Sequence, residues 1–253
     1  MSEYQPLPRT FSEAVTPTED QKILLYFIGG YAALILILWN VPYLKHILYP
    51  FKLFTVALHE FGHAAVGCCT GAKIHSIEVN PNEGGLTKMT GGISCCTLPA
   101  GYLGSSLFGA LMIFCSFGRL SSKIMTGVLI GCCLIMLFWA RNWLTRILIV
   151  VFAALLAFFI WFQNGVVLIF FVLFMGVMSC LYSLWDIVED LVMRKVNSSD
   201  ATRFAEKTGC PSQVCGLLWF LVSLAFLTAG VLGGLAVFKN EFVNDPLFPK
   251  STS

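Results

Sequence analysis

His59, Glu60 and His63 stand within the run Leu53-Phe54-Thr55-Val56-Ala57-Leu58-His59-Glu60-Phe61-Gly62-His63-Ala64-Ala65-Val66. On a helix, residues four apart share one face, so the two imidazoles can grip one metal ion from the same side. Glu60, next to His59, can then reach a water on that metal as general base. This is the residue order of zinc hydrolases, and it predicts Zn2+ as the cofactor. The flanking residues are apolar, and ionisable groups at bilayer depth are costly and usually functional. The motif therefore points to hydrolysis carried out inside a membrane.

Catalytic zinc takes three protein ligands and keeps one position for water. His59 and His63 supply two. Of the 14 acidic residues, Glu60, Asp186, Glu189 and Asp190 lie within or at the edge of apolar stretches. The last three recur at i, i+3 and i+4 on one helical face, extended backwards by Ser183, Tyr182 and Ser179. Such a polar stripe should face the interior of a helix bundle. Asp186 is the deepest of the three and is the expected third ligand, with Asp190 as the alternative and His75 a weaker one.

The elements that must position these groups are membrane helices. The chain is 57% hydrophobic and 12% charged, against about 25% charged for soluble domains. With a net charge of +2 and no basic tract, nucleic-acid binding is excluded. Residues 1–22 read as a polar tail, 23–238 as a transmembrane domain and 239–253 as a second polar tail. Apolar stretches at 23–42, 47–69, 97–117, 124–140 and 214–238 each approach the ~20 residues needed to span. The stretch 144–185 is too long for one crossing and splits at Gln163-Asn164-Gly165.

Residues 72–96 break the helical pattern, and Asn80-Pro81-Asn82-Glu83-Gly84-Gly85 is a turn signal, so a β-hairpin at the membrane surface is expected. The polar segment 194–213 contains Ser198-Ser199-Asp200-Ala201, a helix start. The fold class is thus an all-α multi-pass membrane protein of about seven transmembrane helices, six being the alternative, with a small hairpin. With seven, the N-terminal tail, hairpin, 141–146 loop and 194–213 segment share one side. The excess of Lys and Arg puts that side, and the N-terminus, in the cytosol. The adjacent pairs Cys68-Cys69, Cys95-Cys96 and Cys132-Cys133 read as small apolar residues. Cys210 and Cys215 flank a proline loop where a metal or redox role is open. Pro99, Gly101, Gly104, Ser105 and Gly109 put small residues at helical spacing, a pattern of close helix packing.

Taken together, Ala57 to Ala64 around the histidines, the Glu83-Gly84-Gly85 turn, Ala100-Gly101-Tyr102-Leu103-Gly104 and Asp186…Asp190…Ser199-Asp200-Ala201 resemble the site-2 protease family, in its B-like branch. The resemblance covers about residues 50–225. It implies an intramembrane zinc metalloprotease, with His59 and His63 as ligands, Glu60 as base and a late Asp completing the set. Better-known members carry that Asp in a Leu-Asp-Gly motif, and no Asp-Gly occurs here. The expected function is hydrolysis of a peptide bond in a membrane-embedded protein or peptide substrate, within the lipid bilayer. The alternative is a catalytically idle membrane scaffold of the same fold.

Overall fold

The structure is a computed structural model that describes residues 10–81, 84–192, 199–242 and 246–248. Its elements run α1 (Phe11–Val15), α2 (Glu19–Asn40), α3 (Lys45–Cys69), β1 (Lys73–Asn80), β2 (Gly84–Thr90), α4 (Ser94–Thr97), α5 (Ala100–Cys115), α6 (Arg119–Trp139), α7 (Trp143–Trp161), α8 (Val166–Val192), α9 (Asp200–Thr208) and α10 (Ser212–Val237). A 3-10 turn at Phe162–Gly165 divides α7 from α8, where the sequence predicts the split. The segment 1–22, expected as a tail, contains α1 and the start of α2. Thr18 caps α2 in a capping box with Gln21, so two backbone N–H groups are satisfied at its start.

Among the described residues, six helices are long and apolar enough to cross a membrane: α2, α4–α5 taken as one span, α6, α7, α8 and α10. The protein is an integral membrane protein on this ground. The histidine helix α3, at 25 residues, has the length but not the hydropathy. Its charged and imidazole groups are the reason. It is nonetheless deeply enclosed, since every residue from Leu53 to Ala64 is buried. A helix buried all round belongs at the centre of a bundle.

β1 and β2 form an antiparallel hairpin, with Asn80 paired to Gly84 next to the turn. Gly84 takes a positive φ of 81°, which a side chain would strain. The hairpin lies back along α3. Ile74 and Met89 meet Gly67 near the C-terminus of that helix, and Gly85 and Thr87 meet Glu60. Pro81 shares a pocket with Lys45 and Tyr49 near the start of α3. The outer side of β1 is held by α7: Val79 N–H donates to Thr145 Oγ1 at 2.7 Å, and Asn142 Nδ2 donates to the Val79 carbonyl at 2.8 Å. Asn142 also caps α7. One residue therefore ties the start of a helix to the sheet.

Contacts at the two ends of the bundle decide its layout. At one end Gln21 donates to the Leu235 carbonyl, Leu247 N–H donates to Asp20, and Arg119 reaches Pro246. The start of α2, the end of α10, residues 246–247 and the 116–119 turn therefore meet there. At the other end Trp39 stacks on Tyr182, and the hairpin, the 140–145 loop and α9 gather. This corrects the seven-span layout, which set the N-terminal tail beside the hairpin and the C-terminal tail opposite both. The physical reason is α3: it starts near the hairpin turn, with Lys52 over the rings of Trp39 and Tyr182, and it ends where β1 begins. It returns to the end it left, and the six long helices give an even number of crossings.

Small residues let the helices approach. A β-carbon on Gly109 would overlap Gly176 and Cys180 of α8, and one on Gly230 would overlap Ala110. Ser105 and Ser183 hydroxyls lie 2.5 Å apart, and Ser179 donates to the Ser105 carbonyl. Interhelical hydrogen bonds of this kind average about 0.6 kcal/mol each in membrane bundles. The stripe Ser179, Tyr182, Ser183 is buried as expected.

The layout predicts that tags at the N- and C-termini are accessible from the same face of the membrane. Protease protection of tagged protein in sealed vesicles checks it, and tags protected from opposite faces would contradict it.

Candidate metal centre

His59, Glu60 and His63 are 8%, 5% and 7% exposed, so all three are removed from bulk solvent. Helical spacing brings His59 Nε2 to 3.1 Å from His63 Nε2. His63 Nδ1 lies 2.7 Å from the Thr97 carbonyl oxygen. A carbonyl only accepts, so Nδ1 carries the proton and Nε2 presents its lone pair to the site. Thr97 ends α4, the short helix between the hairpin and α5.

The carboxylate that meets these histidines is Asp200. Its Oδ2 lies 3.1 Å from His59 Nε2 and 3.0 Å from His63 Nε2. Asp200 is the first residue of α9, whose start is capped by Ser199 and whose end is closed by Gly209 at a positive φ. Three contacts seat this short helix. Ala201 is buried, Phe204 packs edge-on to Trp219, and Lys207 donates to Ser94 Oγ of α4 at 2.6 Å. Tyr102 bridges the two halves, with its ring against both His59 and Trp219.

Three atoms with lone pairs at 3.0–3.1 Å from one another repel unless a cation, proton or metal, lies among them. Around a tetrahedral zinc with bonds of about 2.05 Å the donor atoms are about 3.3 Å apart. The triangle present is within a few tenths of an ångström of that spacing. His59, Glu60 and His63 also form a group that could hold a metal ion, their ligand-type atoms lying within 4.8 Å of one another.

The expected third ligand, Asp186, lines the same cavity from α8 but is not the carboxylate set against the histidines. The side chain of the alternative, Asp190, lies outside the described residues. His75 is exposed, with Nε2 2.8 Å from Thr90 Oγ1 on the neighbouring strand. An expectation confined to apolar stretches passes over Asp200, whose carboxylate meets both histidines. The signal for it was present in Ser199-Asp200, a helix start whose dipole favours an anion there. Cys210, on the turn after α9, and Cys215, in the first turn of α10, place their sulfurs 2.7 Å apart.

Glycines keep the centre open. A β-carbon on Gly101 would overlap Nε2 of both histidines, and one on Gly62 would overlap the Ala100 carbonyl. On the far side Glu60 faces β2. Thr87 Oγ1 lies 2.6 Å from Glu60 Oε2 and 3.0 Å from the Glu60 carbonyl, and a β-carbon on Gly85 would overlap the Glu60 side chain. A cavity of about 1210 Å³ opens over the centre, walled by β2, α9 and the Asp186 side of α8.

The arrangement predicts that Gly101→Ala abolishes retention of a divalent metal while Gly127→Ala, whose β-carbon meets nothing within 4 Å, keeps it. Metal analysis of both purified proteins, at matched helical content by circular dichroism, checks this. Equal metal retention would contradict it.

The family model for peptidase M50B-like proteins matches residues 28–230. No curated protein and no solved structure matches the chain.

Proposed function

The chain belongs to the peptidase M50B-like family of site-2-protease-type membrane metalloproteases, and on that premise we propose that it is an intramembrane zinc metalloprotease. Its substrate is a peptide bond in a membrane-embedded protein or peptide. The observation that supports this most is the convergence of His59, His63 and Asp200 at 3.0–3.1 Å, beside a buried Glu60. We take these three as the ligand set, in place of one completed by Asp186. Two neutral imidazoles and one carboxylate suit zinc and leave the ion a net positive charge.

Zinc held there would polarise the scissile carbonyl and lower the pKa of a water to about 7. Glu60 takes the proton from that water and delivers it to the leaving amine, one carboxylate serving as base and then acid. His63 keeps its tautomer through the Thr97 carbonyl, so its ligating nitrogen stays available. A peptide bond must leave its helix before it can be attacked, and a polar cavity is where such backbone is tolerated in a membrane. β2, which lines the cavity beside Glu60, offers the unwound segment an extended partner.

Charge supports an orientation. Among the described residues, Lys45, Lys52, Lys73, Lys88, Arg141, Arg146, Arg203 and Lys207 lie towards the site end, against Lys22, Arg119, Lys123 and Lys239 at the end where α2 starts and α10 ends. The excess of cations supports a cytosolic site end. The termini then lie on the other face, the reverse of the placement expected from seven spans.

Glu60→Gln is expected to retain one zinc per chain and to lose at least ~100-fold in turnover, the usual scale of general-base catalysis. Zinc analysis alongside cleavage of a panel of transmembrane peptides in micelles checks it. Cleavage by Glu60→Gln at the wild-type rate would contradict the mechanism, and a wild type that cleaves none of them would favour the idle scaffold.

A further inference from the structure

Glu60 is held from outside its own helix. Its Oε2 lies 2.6 Å from Thr87 Oγ1, and Gly85 leaves the space its side chain occupies. Thr87 Oγ1 is also 3.0 Å from the Glu60 backbone carbonyl. A hydroxyl has one proton to give. The carboxylate is both the nearer acceptor and the charged one, and hydrogen bonds to ionised acceptors are shorter and about twice as strong. We propose that Thr87 is a positioning residue for the reaction, fixing the Glu60 carboxylate so that one oxygen faces the metal centre. This rests on the reading of Glu60 as the base.

Three features make the assignment specific to Thr87. Glu60 is 5% exposed, so bulk water does not compete for its oxygens. A glutamate on a helix has three side-chain torsions to fix, and nothing on α3 is seen to fix them; the hydroxyl comes from β2. β2 in turn is anchored by β1, and β1 by Asn142 and Thr145 of α7. The carboxylate is thus aligned to the hairpin and not to the histidine helix alone. Gly85 and Thr87 lie two apart on one strand and so share a face, which is the pattern a strand needs to seat a carboxylate between them.

A structural role for the threonine, as a strand residue that bonds a helix carbonyl, makes a different prediction. It would leave the chemistry at the metal unchanged once the protein is folded. Acetohydroxamate separates the two, because it binds zinc through its oxygens while handing a proton to a neighbouring carboxylate. The experiment measures its affinity for the zinc-loaded protein by calorimetry, in wild type, Thr87→Val, Thr87→Ser and Thr90→Val. Thr90 lies three residues further along β2, its hydroxyl on His75, and controls for damage to the strand.

The expected result is stoichiometric zinc in all four, acetohydroxamate about 10-fold weaker in Thr87→Val, and affinity within about 2-fold of wild type in Thr87→Ser and Thr90→Val, on the scale of lost outer-shell partners. In turnover, Thr87→Val lowers kcat and leaves KM unchanged. Thr87→Val that binds acetohydroxamate like wild type, or Thr87→Ser that fails to restore it, would overturn the role of Thr87 alone. A wild type that binds no zinc would overturn the metal reading beneath it.

Discussion

Three groups that repel one another unless a cation lies among them are held together inside a membrane protein, and most of the fold can be read as what that requires. His59 and His63 come from one helix, Asp200 from another 141 residues away in sequence. Closing that separation needs a rigid frame. α3 is buried on every side over its central turns, α5 presses on it through Gly62 and Ala100, and α4 both fixes His63 at Thr97 and receives Lys207 of α9. Leaving such a cluster without its compensating charge would cost several kcal/mol per buried ion. The small residues at the helix contacts are what let backbone come this close.

The hairpin has a double part in that frame. It fills one flank of α3 with Ile77 and Val79, both fully buried, and it presents β2 to the cavity with Glu60 behind it. A site built only from helices would have no extended backbone to offer an unwound substrate. Here the strand that faces the cavity also bears the hydroxyl nearest Glu60, so under the proposed function the place where substrate would lie and the group that would position the base share one scaffold.

What the sequence makes legible is what is local. Helical spacing alone joins His59, Glu60 and His63; a turn rich in Asn, Pro and Gly announces the hairpin; Ser199-Asp200 marks a helix start. The long apolar stretches give the helices, with one exception that is informative. α3 reads as a span from its length, yet it begins and ends at the same end of the bundle, and that reverses the relation of the N-terminus to the hairpin. The third carboxylate is illegible for a similar reason. Asp186 has the right depth and company on α8, whereas Asp200 reaches the histidines because a short polar helix is folded onto the bundle by Ala201, Phe204 and Trp219. Packing across 141 residues leaves no local pattern to read.

The central claim is the identity of the ligand set, and extended X-ray absorption at the zinc edge tests it most directly. The account predicts two imidazole nitrogens and one carboxylate oxygen at about 2.0–2.1 Å plus a light-atom solvent ligand, with the carboxylate contribution lost in Asp200→Ala and unchanged in Asp186→Ala. A spectrum altered by Asp186→Ala and untouched by Asp200→Ala would contradict it.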